Sequence, residues 1–210
     1  MKIVILISGR GSNLQAILDA GLPAEVVAVL SNRESAAGLR LAEARGVATH
    51  VLAHTGFVSR VEFDRAMMQV IDRYEPDLVV LAGYMRILSD EFVLHYTGRL
   101  MNIHPSLLPS YTGMHTHARA LADGVKIHGC TVHLVTPALD HGPVIAQAAV
   151  AVYSDDSAET LGARVLKAEH QIYPQAIRWF VESRLVLSDD GKVSLLDGER
   201  SEQSVFYPEA

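Results

Sequence analysis

The chain has one cysteine in 210 residues, so no internal disulfide can form and a reducing compartment is expected. That residue, Cys130, sits in an apolar alternation and reads as a small buried hydrophobe rather than a nucleophile. Long apolar runs are also missing. None approaches the roughly 18 residues of a membrane span, and the N-terminal run at 3–7 ends at Ser8-Gly9, too short for a signal peptide. The expected location is the cytoplasm, with no membrane partner. Basic residues are in deficit, 18 Lys and Arg against 24 Asp and Glu for a net charge of −6. No basic cluster stands out, so a nucleic-acid groove has no support. Ten histidines are present, including His115-x-His117, but no cysteine pair or His-Glu-x-x-His accompanies them, and no metal is expected.

What is present is apolar material, 49% of the chain, enough for one substantial core. Residues 3–7 are a continuous, mostly β-branched run of the kind buried on both faces of a parallel sheet. Further strands are expected at 25–30, 47–52 and 78–82, alternating with helices that start at a Ser12 or Asn13 cap and cover 35–44 and 60–74. This alternation predicts an α/β, doubly wound, mostly parallel, Rossmann-like sheet in a single domain. The second half is mixed: strands at 99–103, 126–135 and 144–152, and a short helix at 117–123. A long helix at 160–183 follows, which Pro174 should kink or split, and then a hairpin at 186–196 turning on Asp189-Asp190-Gly191. The expected domain is 1–196, with a phosphate-binding half at 1–100 and a catalytic half at 101–196. A polar tail at 197–210 completes the chain.

Two segments carry chemistry. Ser8-Gly-Arg-Gly-Ser-Asn13 joins the first strand to the first helix, where glycines allow close backbone approach and free N–H groups attract an anion. A tight strand–helix turn would use the same residues, so both readings stay open here. A dinucleotide fits less well: Leu14 replaces the third glycine, and Ser31-Asn32-Arg33 stands where an acidic residue would end the second strand. The second segment is Met101-Asn-Ile-His-Pro-Ser-Leu-Leu-Pro109. On an extended chain Asn102 and His104 point to one face, and Pro105 keeps His104 out of helix. An amide donor beside a titratable imidazole suits a developing oxyanion. Asp140, in Leu139-Asp-His-Gly-Pro143, could stabilise the imidazolium or relay a proton.

These motifs, with Ala82-Gly-Tyr-Met-Arg-Ile-Leu88, make the chain resemble the glycinamide ribonucleotide formyltransferase family, folate-dependent enzymes of purine biosynthesis, from residue 1 to about 196. The Asn-x-His-Pro-Ser-Leu-Leu-Pro element is shared with other 10-formyltetrahydrofolate enzymes that carry extra domains. The resemblance implies that Gly11, Ser12 and Asn13 hold the substrate phosphate and that Glu169 contacts its ribose. It implies that Met85, Arg86, Ile87 and Leu88 line the pterin pocket, with Arg60 near the glutamate tail, and that Thr136, Pro137, Ala138, Leu139 and Asp140 complete the folate site. Asn102, His104 and Asp140 are then the catalytic set, with Asn102 also touching folate. The implied cosubstrate is 10-formyltetrahydrofolate, with no tightly bound cofactor and no nucleic acid, in a monomer or homodimer. Thr112, Met114 and His141 depart from residues common in the family. A 10-formyltetrahydrofolate hydrolase on the same scaffold, and a binding-only module, are the alternatives.

Overall fold

The computed structural model describes residues 1–196, and the expected tail at 197–210 lies outside them. The first half alternates as the apolar runs predict. Strand β1 (Lys2–Ile7) leads to helix α1 (Ser12–Asp19), β2 (Glu25–Ser31), α2 (Gly38–Glu43), β3 (Ala48–Val51), α3 (Arg60–Asp72) and β4 (Leu78–Leu81). Then follow α4 (Asp90–His95), β5 (Leu100–His104), α5 (Thr116–Ala122), β6 (Ile127–Leu134), β7 (Val144–Ala151) and α6 (Ala158–Val181). A separate hairpin, β8 (Leu185–Leu187) and β9 (Val193–Leu195), ends the described chain.

The described residues form a seven-stranded sheet in the order β3-β2-β1-β4-β5-β6-β7. Strands β1 to β5 pair in parallel, while β5–β6 and β6–β7 pair antiparallel. Alternation along β1 divides the core into two layers. Ile3, Ile5 and Ile7 meet Leu14 and Ile17 of α1 and Leu161 and Val165 of α6. Val4 and Leu6 meet Phe63 and Met67 of α3 and Phe92 of α4. Full burial of each such side chain contributes about 1.5–3 kcal/mol. Cys130 lies in the first layer, and burial pushes its thiol up to about 12, which removes it as a nucleophile.

Three local expectations need correction, and one helix was not expected. The first residue before α1 is Gly11, at φ 80° and without a side-chain cap, so neither Ser12 nor Asn13 caps that helix. Helix α4 had no strong periodic signal; Ser89 caps it by accepting from the Phe92 amide. Strand β5 runs one residue further than expected and includes His104. Pro174 does not split α6, which is continuous across it. The neighbouring Tyr173 explains the tolerance: it is fully buried, and its hydroxyl proton is shared between the Leu81 and Met101 carbonyls at 3.0 Å each. Packing on the sheet therefore holds the turns on either side of the missing proline N–H.

That hydroxyl also ties α6 to the carboxyl end of β4 and to the first half of β5. Tyr173→Phe should lower stability by about 1–2 kcal/mol in denaturant unfolding, because a buried donor is lost at constant packing. No change in midpoint would mean that the hydroxyl holds nothing.

Candidate active site

All parallel strands end at one edge of the sheet, and there the structure opens a cleft of about 490 Å³. Its volume falls in the range of small-molecule sites. Strand β5 delivers Asn102 and His104 to this edge. The antiparallel neighbour β6 places His133 directly across from Asn102. Asp140 arrives on the β6–β7 connection, at φ 55°.

His104 is 6% exposed, and both ring nitrogens face acceptors. Nε2 lies 2.9 Å from the Tyr111 carbonyl, and Nδ1 lies 3.6 Å from Asp140 Oδ2. An imidazolium has two N–H donors, and the site supplies two acceptors. The Gly113 amide donates to the same Asp140 oxygen at 2.8 Å. The 111–113 segment thus clasps the His–Asp pair from both ends. Of the three residues read above as departures from the family pattern, Thr112 gives its carbonyl to Arg119, Met114 is exposed on the cleft wall, and His141 turns back onto the Leu139 carbonyl. The left-handed backbone falls on Asp140, not on His141, so a side chain at 141 meets no backbone strain.

A second polar cluster lies against the start of α1. Asn13 donates from Nδ2 to Glu169 Oε2 at 2.7 Å, while its Oδ1 is buried without a partner. Burial pushes the Glu169 carboxyl above the usual carboxylate range, and the Asn13 bond opposes that shift. An unpaired acceptor beside a desolvated carboxyl suits a ligand with hydroxyl donors. The first amides of α1 have no helical partners and no side-chain cap, which suits an anion. Gly11 has a packing duty as well: a Cβ there would lie 2.7 Å from Gly38 Cα, and its φ is positive. Gly11 therefore lets the α1 and α2 ends touch, whatever binds the amides.

The remaining wall is apolar. Met85, Ile87 and Leu139 line the cleft and are 52–64% exposed, more than core packing explains. Leu88, Arg86, Thr136 and Pro137 line it too. Arg86 holds its guanidinium 4.9 Å from the Phe63 ring centre and leaves a buried Nε without a partner. The structure does not bring Gly11, Ser12, Ala138 or Arg60 to the cleft wall; Arg60 is exposed at the first turn of α3.

Sequence reasoning missed three contributors. His133 contacts Asn102, and only its place in the β6 alternation hinted that it faces the same edge. The Tyr111 carbonyl is a backbone group and leaves no side-chain signature. Ser8, read only as part of the glycine loop, accepts from the Met85 amide at 2.8 Å and donates to Asn32 at 2.6 Å. It thereby joins the phosphate-loop candidate to the apolar wall.

A mostly parallel sheet carries an Asn–His–Asp set at the carboxyl edge of β5, and the chain belongs to the formyl transferase family, whose model matches residues 1–177. Within that family the chain belongs with the phosphoribosylglycinamide formyltransferases. It is 53% identical to the Escherichia coli (strain K12) protein of that name over 204 residues, 95% of each chain. The structure of glycinamide ribonucleotide transformylase 1 from Symbiobacterium toebii superposes with a TM-score of 0.91 at 45% identity, covering 94% of both chains. The Coxiella burnetii phosphoribosylglycinamide formyltransferase gives 0.89 at 50% identity, covering 95% of this chain and 94% of that one.

The raised Glu169 carboxyl makes a pH prediction. The folded chain takes up that proton more readily than the unfolded chain, so stability falls as pH rises from the ordinary carboxylate value through the raised one. Glu169→Gln removes this dependence and keeps an acceptor for Asn13. Thermal melts should show the variant roughly 2–4 °C above wild type at alkaline pH, the shift given by about 1 kcal/mol in a chain this size, with the gap closing in acid. A wild-type advantage at alkaline pH would contradict the assignment.

Proposed function

We propose that the chain transfers the formyl group of 10-formyltetrahydrofolate to the amino group of N1-(5-phospho-D-ribosyl)glycinamide, a step of purine biosynthesis in the cytoplasm. The observation that carries this reading is the convergence of Asn102, His104 and Asp140 on one cleft between an apolar wall and the Asn13–Glu169 cluster. The apolar segments at 85–88 and 136–140 suit a flat heteroaromatic ring. The unpartnered Nε of Arg86 suits a carboxylate at the far end of the same ligand, and Arg60 would meet a tail that extends out of the cleft. The α1 amides of residues 11–13 suit the phosphate, and Asn13 Oδ1 and Glu169 suit the ribose hydroxyls.

In the reaction, the substrate nitrogen attacks the formyl carbon, a C–N bond forms and the carbonyl oxygen becomes negative. Asn102 offers an amide N–H to that oxygen, and His104 offers a charged one once the Tyr111 carbonyl yields Nε2. The bond from carbon to the folate nitrogen then breaks, and that nitrogen gains the proton that the attacking amine loses. Asp140, 3.6 Å from His104, balances the imidazolium and can pass the proton directly or through water. All of these groups belong to the chain, and the proton and electron count closes without a redox partner. A hydrolase would use water in place of the amine, and the relatives bear transferase names.

Purified protein with both substrates should give formylated product in step with tetrahydrofolate. Formate release that ignores the amine would favour the hydrolase, and ligand-induced stabilisation without turnover would favour a binding module. His104→Ala and Asn102→Ala should each lower kcat about 100- to 1000-fold, as removal of one oxyanion donor does. Near-normal turnover in either folded variant would refute the assigned roles.

A further inference from the structure

His133 has no part in the chemistry above, yet it is 2% exposed and sits opposite Asn102 in the β5–β6 register. Its ring makes two contacts. Nδ1 lies 3.0 Å from the Leu134 carbonyl, and Nε2 lies 3.2 Å from Asn102 Nδ2. A carbonyl can only accept, so Nδ1 carries the hydrogen. Burial lowers the His133 pKa; the bond to the Leu134 carbonyl and the nearby Asp140 oppose that shift without overcoming it, and His104 reinforces it, so the ring is neutral. In the neutral ring Nε2 is then a bare lone pair, which needs a donor.

That requirement decides which way the Asn102 amide faces. With its NH2 towards His133, one N–H is accepted by Nε2 and the other remains for the cleft. The reversed amide would set Oδ1 against the Nε2 lone pair and leave the NH2 misdirected. Gly142 guards the arrangement from the other side. A Cβ at Gly142 would lie 1.7 Å from the Leu134 oxygen and 3.4 Å from His133 Nδ1, so only glycine leaves that carbonyl in place. The Leu134 amide is held as well, by the Pro143 carbonyl at 2.9 Å. The Asp-His-Gly-Pro stretch thus reaches the catalytic amide through a backbone carbonyl and one imidazole.

We propose that His133 is a positioning residue: as the Nδ1-protonated neutral ring, fixed by the Leu134 carbonyl above Gly142, it orients the Asn102 amide so that one N–H points at the reacting formyl oxygen. The inference rests on the formyl-transfer reading for its kinetic consequence, but its tautomer stands apart from that reading.

Two measurements on the full chain test it. Long-range ¹H–¹⁵N spectra should show the His133 ring, assigned by loss of its signals in His133→Gln, as a neutral ring with the proton on Nδ1. A proton on Nε2 overturns the proposal, whatever the enzyme does. In kinetics, His133→Phe keeps an aromatic ring but no acceptor. It should lower kcat about 10- to 100-fold, part of the roughly 100- to 1000-fold worth of one aligned donor, with both KM values within about threefold. On an Asn102→Ala background the same change should alter kcat less than about twofold, because His133 acts only through that amide. His133→Gln, whose side-chain oxygen reaches the Nε2 position, should recover at least about tenfold over His133→Phe. An equal fall on the Asn102→Ala background, or a folded His133→Phe with wild-type kcat, overturns the proposal. If His133→Phe does not fold, failure of His133→Gln to sustain turnover does so. Loss of formyl transfer in the wild type would instead sink the functional reading and leave the tautomer result standing.

Discussion

Strand β5 is bonded to a parallel neighbour on one side and an antiparallel neighbour on the other, and the chemistry of the cleft hangs on that mixed pairing. Parallel pairing with β4 sends the carboxyl end of β5 to the edge where ligands enter such sheets. Antiparallel pairing with β6 brings a strand back from the opposite direction, so that His133 stands across from Asn102. The chain reversal after β6 then carries Asp140 to His104. One change of strand direction thus assembles side chains from residues 102 to 140 within a few ångströms.

The site is built by removing freedom from polar groups. His104 is held between a backbone carbonyl and a carboxylate, Ser8 links the β1 end to the Met85 amide, and Asn13 is bonded to Glu169. In a desolvated setting, fixed donors stabilise developing charge more than mobile ones, since nothing must reorganise as the charge appears. Two buried atoms without a partner, Asn13 Oδ1 and Arg86 Nε, belong to residues that line the cleft. They are the groups that a two-part ligand set would satisfy. Net charge is negative over the chain, yet the proposed phosphate site would need none of it reversed, because helix amides supply a positive field locally.

The strands of the first half were legible because parallel, doubly buried strands write themselves as continuous apolar runs. Asn102, His104 and Asp140 were legible because their motifs bring the right groups together. What escaped has a common cause: it depends on partners distant in sequence. Gly11 read as a phosphate residue, and its clash partner Gly38 appears only once α1 and α2 meet. Tyr111 acts through its backbone. Pro174 reads as a break until Tyr173 is seen anchored on two strands. Helix α4 has only six residues, too short for a periodic signal, and its Ser89 cap is visible only in hindsight. Arg60 was legible only through the family resemblance: it stands exposed at the start of α3, outside the cleft wall, where the residue by itself carries no ligand signal.

In the proposed reaction Asn102 and His104 act on the formyl group at the end of β5. A crystal structure with glycinamide ribonucleotide and a folate analogue unable to release its one-carbon group tests this most directly. The one-carbon group should lie within hydrogen-bond reach of the Asn102 amide and the His104 ring, with the phosphate on the α1 amides and Tyr111 displaced from His104 Nε2. A one-carbon group bound away from β5, with the Tyr111 clasp intact, would contradict it.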